Sequence, residues 1–193
     1  FTAAALTLVE DGKAVDFPLS NGTQGVRGMA ISPDGRYLAV AHVLSRYQVP
    51  TTQLDRGWMN TNAVTVIDTD EPDKPHPVLL DDPDAGAANP WGVSFSGDGG
   101  KLFVTHAGTH ELSVIDFPAL LERMKREGRS NEPVSERLGF LHGLRTRIAL
   151  PLNGPRAVAS DGKNVYVAGY FSDSLAEVSL KDACKSRAIP LNG

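Results

Sequence analysis

The sequence holds a single cysteine, Cys184, in 193 residues. A lone thiol cannot close a disulfide within the chain. No Cys-x-x-Cys-His run is present, so any covalently attached c-type haem belongs to another chain. Long apolar runs are also missing. The longest, such as Leu38–Ala41 and Val64–Ile67, fall far short of the roughly 20 residues that a membrane-crossing helix needs. Neither sign of charge dominates. The 19 Lys and Arg against 23 Asp and Glu leave a net charge of -4, which gives nucleic acid or an anionic membrane surface no electrostatic reason to bind. The chain has no Gly-x-Ser-x-Gly elbow and no phosphate-cradling glycine loop, and Cys184 has no histidine near it in sequence. Asp81-Asp82-Pro83-Asp84 lacks EF-hand spacing and reads as a solvated turn. The chain opens at Phe1 without a charged, signal-like segment, as a mature, cleaved or partial chain would. With 41% apolar and 22% charged residues, it has the composition of a packed globular domain.

What the sequence does have is a repeat. Ile31-Ser32-Pro33-Asp34-Gly35-Arg36-Tyr37-Leu38-Ala39-Val40 aligns with Phe95-Ser96-Gly97-Asp98-Gly99-Gly100-Lys101-Leu102-Phe103-Val104. Both align with Ala159-Ser160-Asp161-Gly162-Lys163-Asn164-Val165-Tyr166-Val167. Each copy is an apolar run, an Asp-Gly turn and a second apolar run, which predicts an antiparallel hairpin. A third strand follows each hairpin at Val64–Asp68, Leu112–Asp116 and Leu175–Ser179. A fourth follows near Pro77–Leu80, Arg147–Leu150 and Arg187–Leu191. Three copies of four antiparallel strands predict an all-β chain of β-propeller blades, spanning residues 25–83, 84–152 and 153–193. Residues 1–24 read as the last two strands of a preceding blade, giving about three and a half blades in all. An open β-sandwich is the alternative. Propellers close with 4–8 blades, so the remaining blades are expected on another segment or chain.

These stretches, together with Leu112-Ser113-Val114-Ile115-Asp116, resemble the YVTN family of β-propeller repeats. The segment from His42 to Asp68 is similar to that of bacterial propeller proteins encoded with, or fused to, c-type cytochromes of the dihaem peroxidase type. That resemblance implies an exported protein, periplasmic or extracellular, working beside a redox partner.

Two insertions interrupt the repeat. Val43–Asn60 joins second and third strands and carries Arg46, Tyr47, Arg56, Trp58 and Asn60. Its length and position on the blade-entry face mark it as a binding loop, or else as a cover for a blade edge. Pro118–Gly143 falls on the opposite face. Its Pro-Ala-Leu-Leu start and closing glycine predict a short helix over Ala119–Glu127, packed beneath a blade or docking a partner.

Three columns of equivalent positions should converge at the upper channel mouth. Arg27, Trp91 and Arg156 precede the innermost strands. His42 and His106 end the second strands. Asn62, His110 and Asp173 precede the third. The arginines suit an anion such as a carboxylate, a phosphate or a haem propionate, or else pair with a turn aspartate. His42, His106 and His110 are candidate metal ligands, or else hydrogen-bonding caps where YVTN repeats carry asparagine. His76 and His142 read as surface residues. The function these residues suggest is a binding or scaffold module that docks a redox protein, for example a c-type cytochrome, through this face. The alternative is a propeller enzyme, a lactonase-like hydrolase or a metal-dependent oxidoreductase, with its site completed by other blades.

Overall fold

The computed structural model describes residues 4–45, 59–127, 137–182 and 185–191. Strands β1 (Ala5–Glu10) and β2 (Lys13–Pro18) pair antiparallel as a separate two-stranded sheet. Three larger sheets follow in chain order. The first holds β3 (Thr23–Gln24), β4 (Met29–Ile31), β5 (Tyr37–Ser45), β6 (Asn60–Asp68) and β7 (His76–Leu79). The second is β8 (Pro90–Phe95), β9 (Lys101–His106), β10 (Glu111–Asp116) and β11 (Arg145–Ala149). The third is β12 (Pro155–Ser160), β13 (Asn164–Gly169), β14 (Ser174–Ser179) and β15 (Ser186–Pro190). Every pairing is antiparallel between sequence neighbours, apart from the split first strand, whose halves β3 and β4 both pair with β5.

The turns show why the repeat folds alike each time. Ser32 Oγ donates to Asp34 Oδ1 at 2.5 Å, and the same oxygen accepts the amide of Arg36 at 3.1 Å. Ser96 and Asp98 repeat this at 2.6 Å, with Gly100 N donating at 2.9 Å. In the third sheet Asp161 accepts the amides of Lys163 and Asn164. Gly35, Gly99 and Gly162 take φ of 75°, 70° and 87°, the left-handed conformation such turns require. The lower ends of the strands are then tied by equivalent ion pairs, Arg36–Asp68 and Lys101–Asp116.

The first strands of successive sheets touch, β4 against β8 and β8 against β12. One glycine column explains the close approach. A Cβ on Gly28 would lie 2.2 Å from Trp91 O, and one on Gly92 would lie 2.3 Å from Arg156 O. The core fills the wedges between sheets. Val64, Val66, Val93, Phe95, Leu102 and Ile115 bury between the first two, and Phe103, Leu112, Ile148, Val165 and Val167 between the next two. The helix α1 (Phe117–Glu127) leaves from the lower end of β10. Phe117 meets Tyr37 and Phe95 edge-on, and Leu120 is wholly buried, so the helix seals the bottom of a blade. No helix among the described residues is long and apolar enough to cross a membrane.

The Asp81–Asp84 reading requires correction. Asp81 is buried and accepts Asn62 N, Asn62 Nδ2 and Ala87 N at 2.7–2.8 Å. Asp82 pairs with Arg145 at 2.5 Å and Arg147 at 3.2 Å, while Arg147 also pairs with Glu111. These contacts fasten the connection between two blades to the outer strand of the next. The turn is a structural joint, and only Asp84 of the three aspartates is exposed.

Candidate functional site

The entry to each first strand is irregular at one repeat position. Between Pro90 and Val93, and between Pro155 and Ala157, the inner strand carries one residue more than its partner. In the first sheet the irregularity is larger and splits the strand into β3 and β4. Arg27 N and Gly28 O still bond to Ala41 across the gap. Such bulges bend the strand and re-aim a side chain. Here they lie at Arg27, Trp91 and Arg156, the column that the sequence places at the channel mouth. The freed amide of Gly92 is satisfied by Thr105 Oγ1 at 2.8 Å.

The outcome is a stack. The Arg27 guanidinium carbon lies 4.2 Å from the centroid of Trp91, and that of Arg156 lies 4.1 Å from it. The two arginines come from the blades flanking the tryptophan. Arg156 also covers Tyr170 at 3.6 Å and Phe171 at 5.5 Å. Each cation–π contact contributes about 0.5–2 kcal/mol. Neither arginine pairs with a carboxylate among the described residues, so pairing with a turn aspartate does not occur there. Tyr170 and Phe171 complete the rim; their exposure, 61% and 69%, makes them a sticky patch that the repeat alignment did not single out. The one signal for them was a pair of aromatics where the second sheet has Ala107-Gly108.

The two histidines are corrected. His106 ends its strand as expected while His42 lies three residues short of the end of β5, and both are fully buried within the sheets rather than lining a channel. His106 Nδ1 lies 3.0 Å from Ala87 O, which has no proton to give, so Nδ1–H is the donor and Nε2 accepts from Ser113 Oγ at 2.7 Å. His42 repeats the arrangement with Val43 O at 3.2 Å and Thr65 Oγ1 at 2.6 Å. Both nitrogens of both rings are engaged. Burial pushes the His42 imidazole below its ordinary value. Burial, with the nearby charges of Arg145 and Arg147, pushes His106 down to about 3. His110 stands apart in role: with φ 56°, it accepts the Gly154 amide on Nδ1 at 3.0 Å and fixes the crossing to the next blade. Asn62 does the same for Asn89. The three candidate metal ligands are therefore structural hydrogen-bonders, and no group of three His, Cys, Asp or Glu suited to a metal occurs among the described residues.

Asn60 sits at the foot of the first insertion, accepting from Ser45 Oγ at 2.7 Å and Gln24 Nε2 at 3.1 Å. Three extra residue pairs, Val43–Asn62, Leu44–Thr61 and Ser45–Asn60, lengthen this hairpin beyond its counterpart in the second sheet, in which His106 already pairs with Glu111 at the turn. Arg46, Arg56 and Trp58 lie outside the described residues. His76 and His142 are exposed.

Four-stranded antiparallel sheets, stacked on their first strands around a shared rim, define this chain as part of a β-propeller. No protein-family model matches the sequence. Among individual proteins, the chain is similar to the beta subunit of hydrazine synthase from Kuenenia stuttgartiensis, with 27% identity over 174 residues, 88% of this chain and 45% of that protein. The solved structure of hydrazine synthase from that organism superposes with a TM-score of 0.69 at 24% identity, over 96% of this chain and 51% of the other. Streptogramin B lyase superposes at 0.61 with 10% identity, over 99% and 49% of the two chains. A chain of the nidogen/laminin complex gives 0.58 with 18% identity, over 93% and 52%. These structural likenesses establish the fold alone. The chain spans about half the length of the proteins it matches.

Proposed function

We propose that this chain is part of an exported β-propeller, with repeats of the YVTN type, that docks a partner protein through its upper rim. The observation that carries this reading is the rim itself. Bulges at one repeat position bring Arg27, Trp91 and Arg156 together beside exposed Tyr170 and Phe171, and a lengthened hairpin rises from the same end of the blades. Charge, stacked aromatics and an apolar patch in one place are the composition of an interface centre. The sequence similarity to a protein named as one subunit of hydrazine synthase supports a role inside an assembly. In this reading the partner is a redox protein, a c-type cytochrome, met in the periplasm or outside the cell, and the other blades are supplied by a further segment or chain.

The test is affinity purification of the full-length protein from its own host, read by haem-stained gel and mass spectrometry. A c-type cytochrome recovered in fixed stoichiometry is the expected result. Recovery of the propeller alone, or only with haem-free partners, overturns the redox-partner reading.

A further inference from the structure

The same rim carries a more specific chemistry, and the inference rests on the docking role just proposed. Stacking on Trp91 occupies the flat faces of the Arg27 and Arg156 guanidinium groups. It leaves their N–H edges to find acceptors. Elsewhere the chain supplies those acceptors: Arg36 has Asp68, Arg145 has Asp82, Arg147 has Glu111 and Arg187 has Glu177. No carboxylate among the described residues serves Arg27 or Arg156. Arg156 Nε is buried with no hydrogen-bond partner. Two like charges are thus held within about two stacking distances of each other, on one ring, in a chain whose net charge is -4. Their mutual repulsion opposes the stacking and is relieved when an anion joins them.

We propose that Arg27, Trp91 and Arg156 form an anion site that takes carboxylates from an acidic segment of the docked partner. Planar guanidinium edges match carboxylates two hydrogen bonds at a time. Two guanidinium groups held on one indole present two such edges, so the site selects two acidic side chains and not one. Tyr170 and Phe171 then receive the apolar residues beside them.

The test uses the full-length protein and a fluorescein-labelled heptapeptide with alternating Glu and Gly, followed by fluorescence polarisation at low salt. Saturable binding is expected. Arg27→Ala and Arg156→Ala should each weaken it by about tenfold or more, and Arg36→Ala, at the lower end of the blades, should leave it unchanged. Arg27→Lys with Arg156→Lys keeps the charge but loses the planar edge. Binding by this pair at wild-type strength would mean diffuse attraction and would overturn the site. Free succinate competing as well per carboxylate pair as the peptide would overturn the assignment to a protein segment in favour of a small-molecule anion. The affinity purification separates the two readings. If the Arg27→Ala/Arg156→Ala protein still brings down the cytochrome, docking stands and the anion site fails. If the wild type brings down none while the peptide binds, the partner reading fails and the site stands.

Discussion

Replacing His106 with asparagine is expected to remove a pH dependence that the wild-type protein carries. The imidazole is enclosed, its Nδ1–H is held by Ala87 O, and its Nε2 is a lone-pair acceptor for Ser113. Protonating Nε2 would place a charge in the core beside Arg145 and Arg147, which is why the group titrates at about 3 when folded. The unfolded chain binds this proton near pH 6.5. Between pH 6.5 and 3 the unfolded state therefore holds more protons than the folded one. Stability falls as pH falls through that window and is level above it. At 1.36 kcal/mol per pH unit, lowering the pH from 7.5 to 5.0 costs about 2 kcal/mol from this residue. His42 acts in the same direction, but it is present in both proteins and cancels in the comparison. Urea unfolding followed by tryptophan fluorescence at the two pH values gives the numbers. His106→Asn is expected to be less stable at pH 7.5, having lost packed volume, yet to lose about 2 kcal/mol less than wild type on acidification. Parallel pH profiles for the two proteins would refute the buried neutral imidazole.

Gly92→Ala must push a methyl group into Arg156 O, so it should destabilise by about 1–3 kcal/mol, whereas Gly97→Ala, with open space around it, should stay within about 0.5 kcal/mol; chemical denaturation compares them. Asp81→Ala strands three N–H donors and should cost about 3 kcal/mol, while Asp81→Asn keeps one acceptor oxygen and should cost less, read as thermal midpoints. Leu120→Ala opens a cavity under the helix and should cost about 2–5 kcal/mol in the same measurement, with the polarisation assay for acidic peptide unaffected.

Much of the fold was legible because the Asp-Gly turns at Asp34, Asp98 and Asp161 are local chemistry: each aspartate bonds amides only two or three residues on, and no distant contact is needed to form them. The helix after Asp116 was legible for the same reason, its proline and apolar spacing being local. It begins at Phe117, two residues before the expected start, since Asp116 caps it by accepting the Ala119 amide. The Arg27, Trp91 and Arg156 column was legible as a register but not as a stack. The stack depends on bulges, which are set by how neighbouring strands compete for amides. His42 and His106 show the limit of register reasoning. Alternation along a strand tells which face of the sheet a side chain takes. It does not tell whether that face meets solvent or the next blade, and for these two it meets Thr65, Ser113 and the interior. Asp81 was misread because two of its three donors belong to Asn62, on a strand of the preceding sheet and 19 residues away.

The lengthened hairpin β5–β6 makes the rim lopsided. Three added residue pairs at about 3.4 Å each raise one side by about 10 Å over its neighbour. Gln24, Ser45 and Asn60 tie the outermost of these pairs through their mutual hydrogen bonds, so the added pairs stand as a braced post. In the proposed docking, a partner with a flat face would meet this raised side of the rim before it reached Trp91. A body with a notch of matching depth slides down it, and the post then fixes the rotation at which the notch can seat. In that reading, approach to the stacked arginines would be sorted by shape before charge acts at contact range, and one orientation would be chosen where the repeat alone offers several.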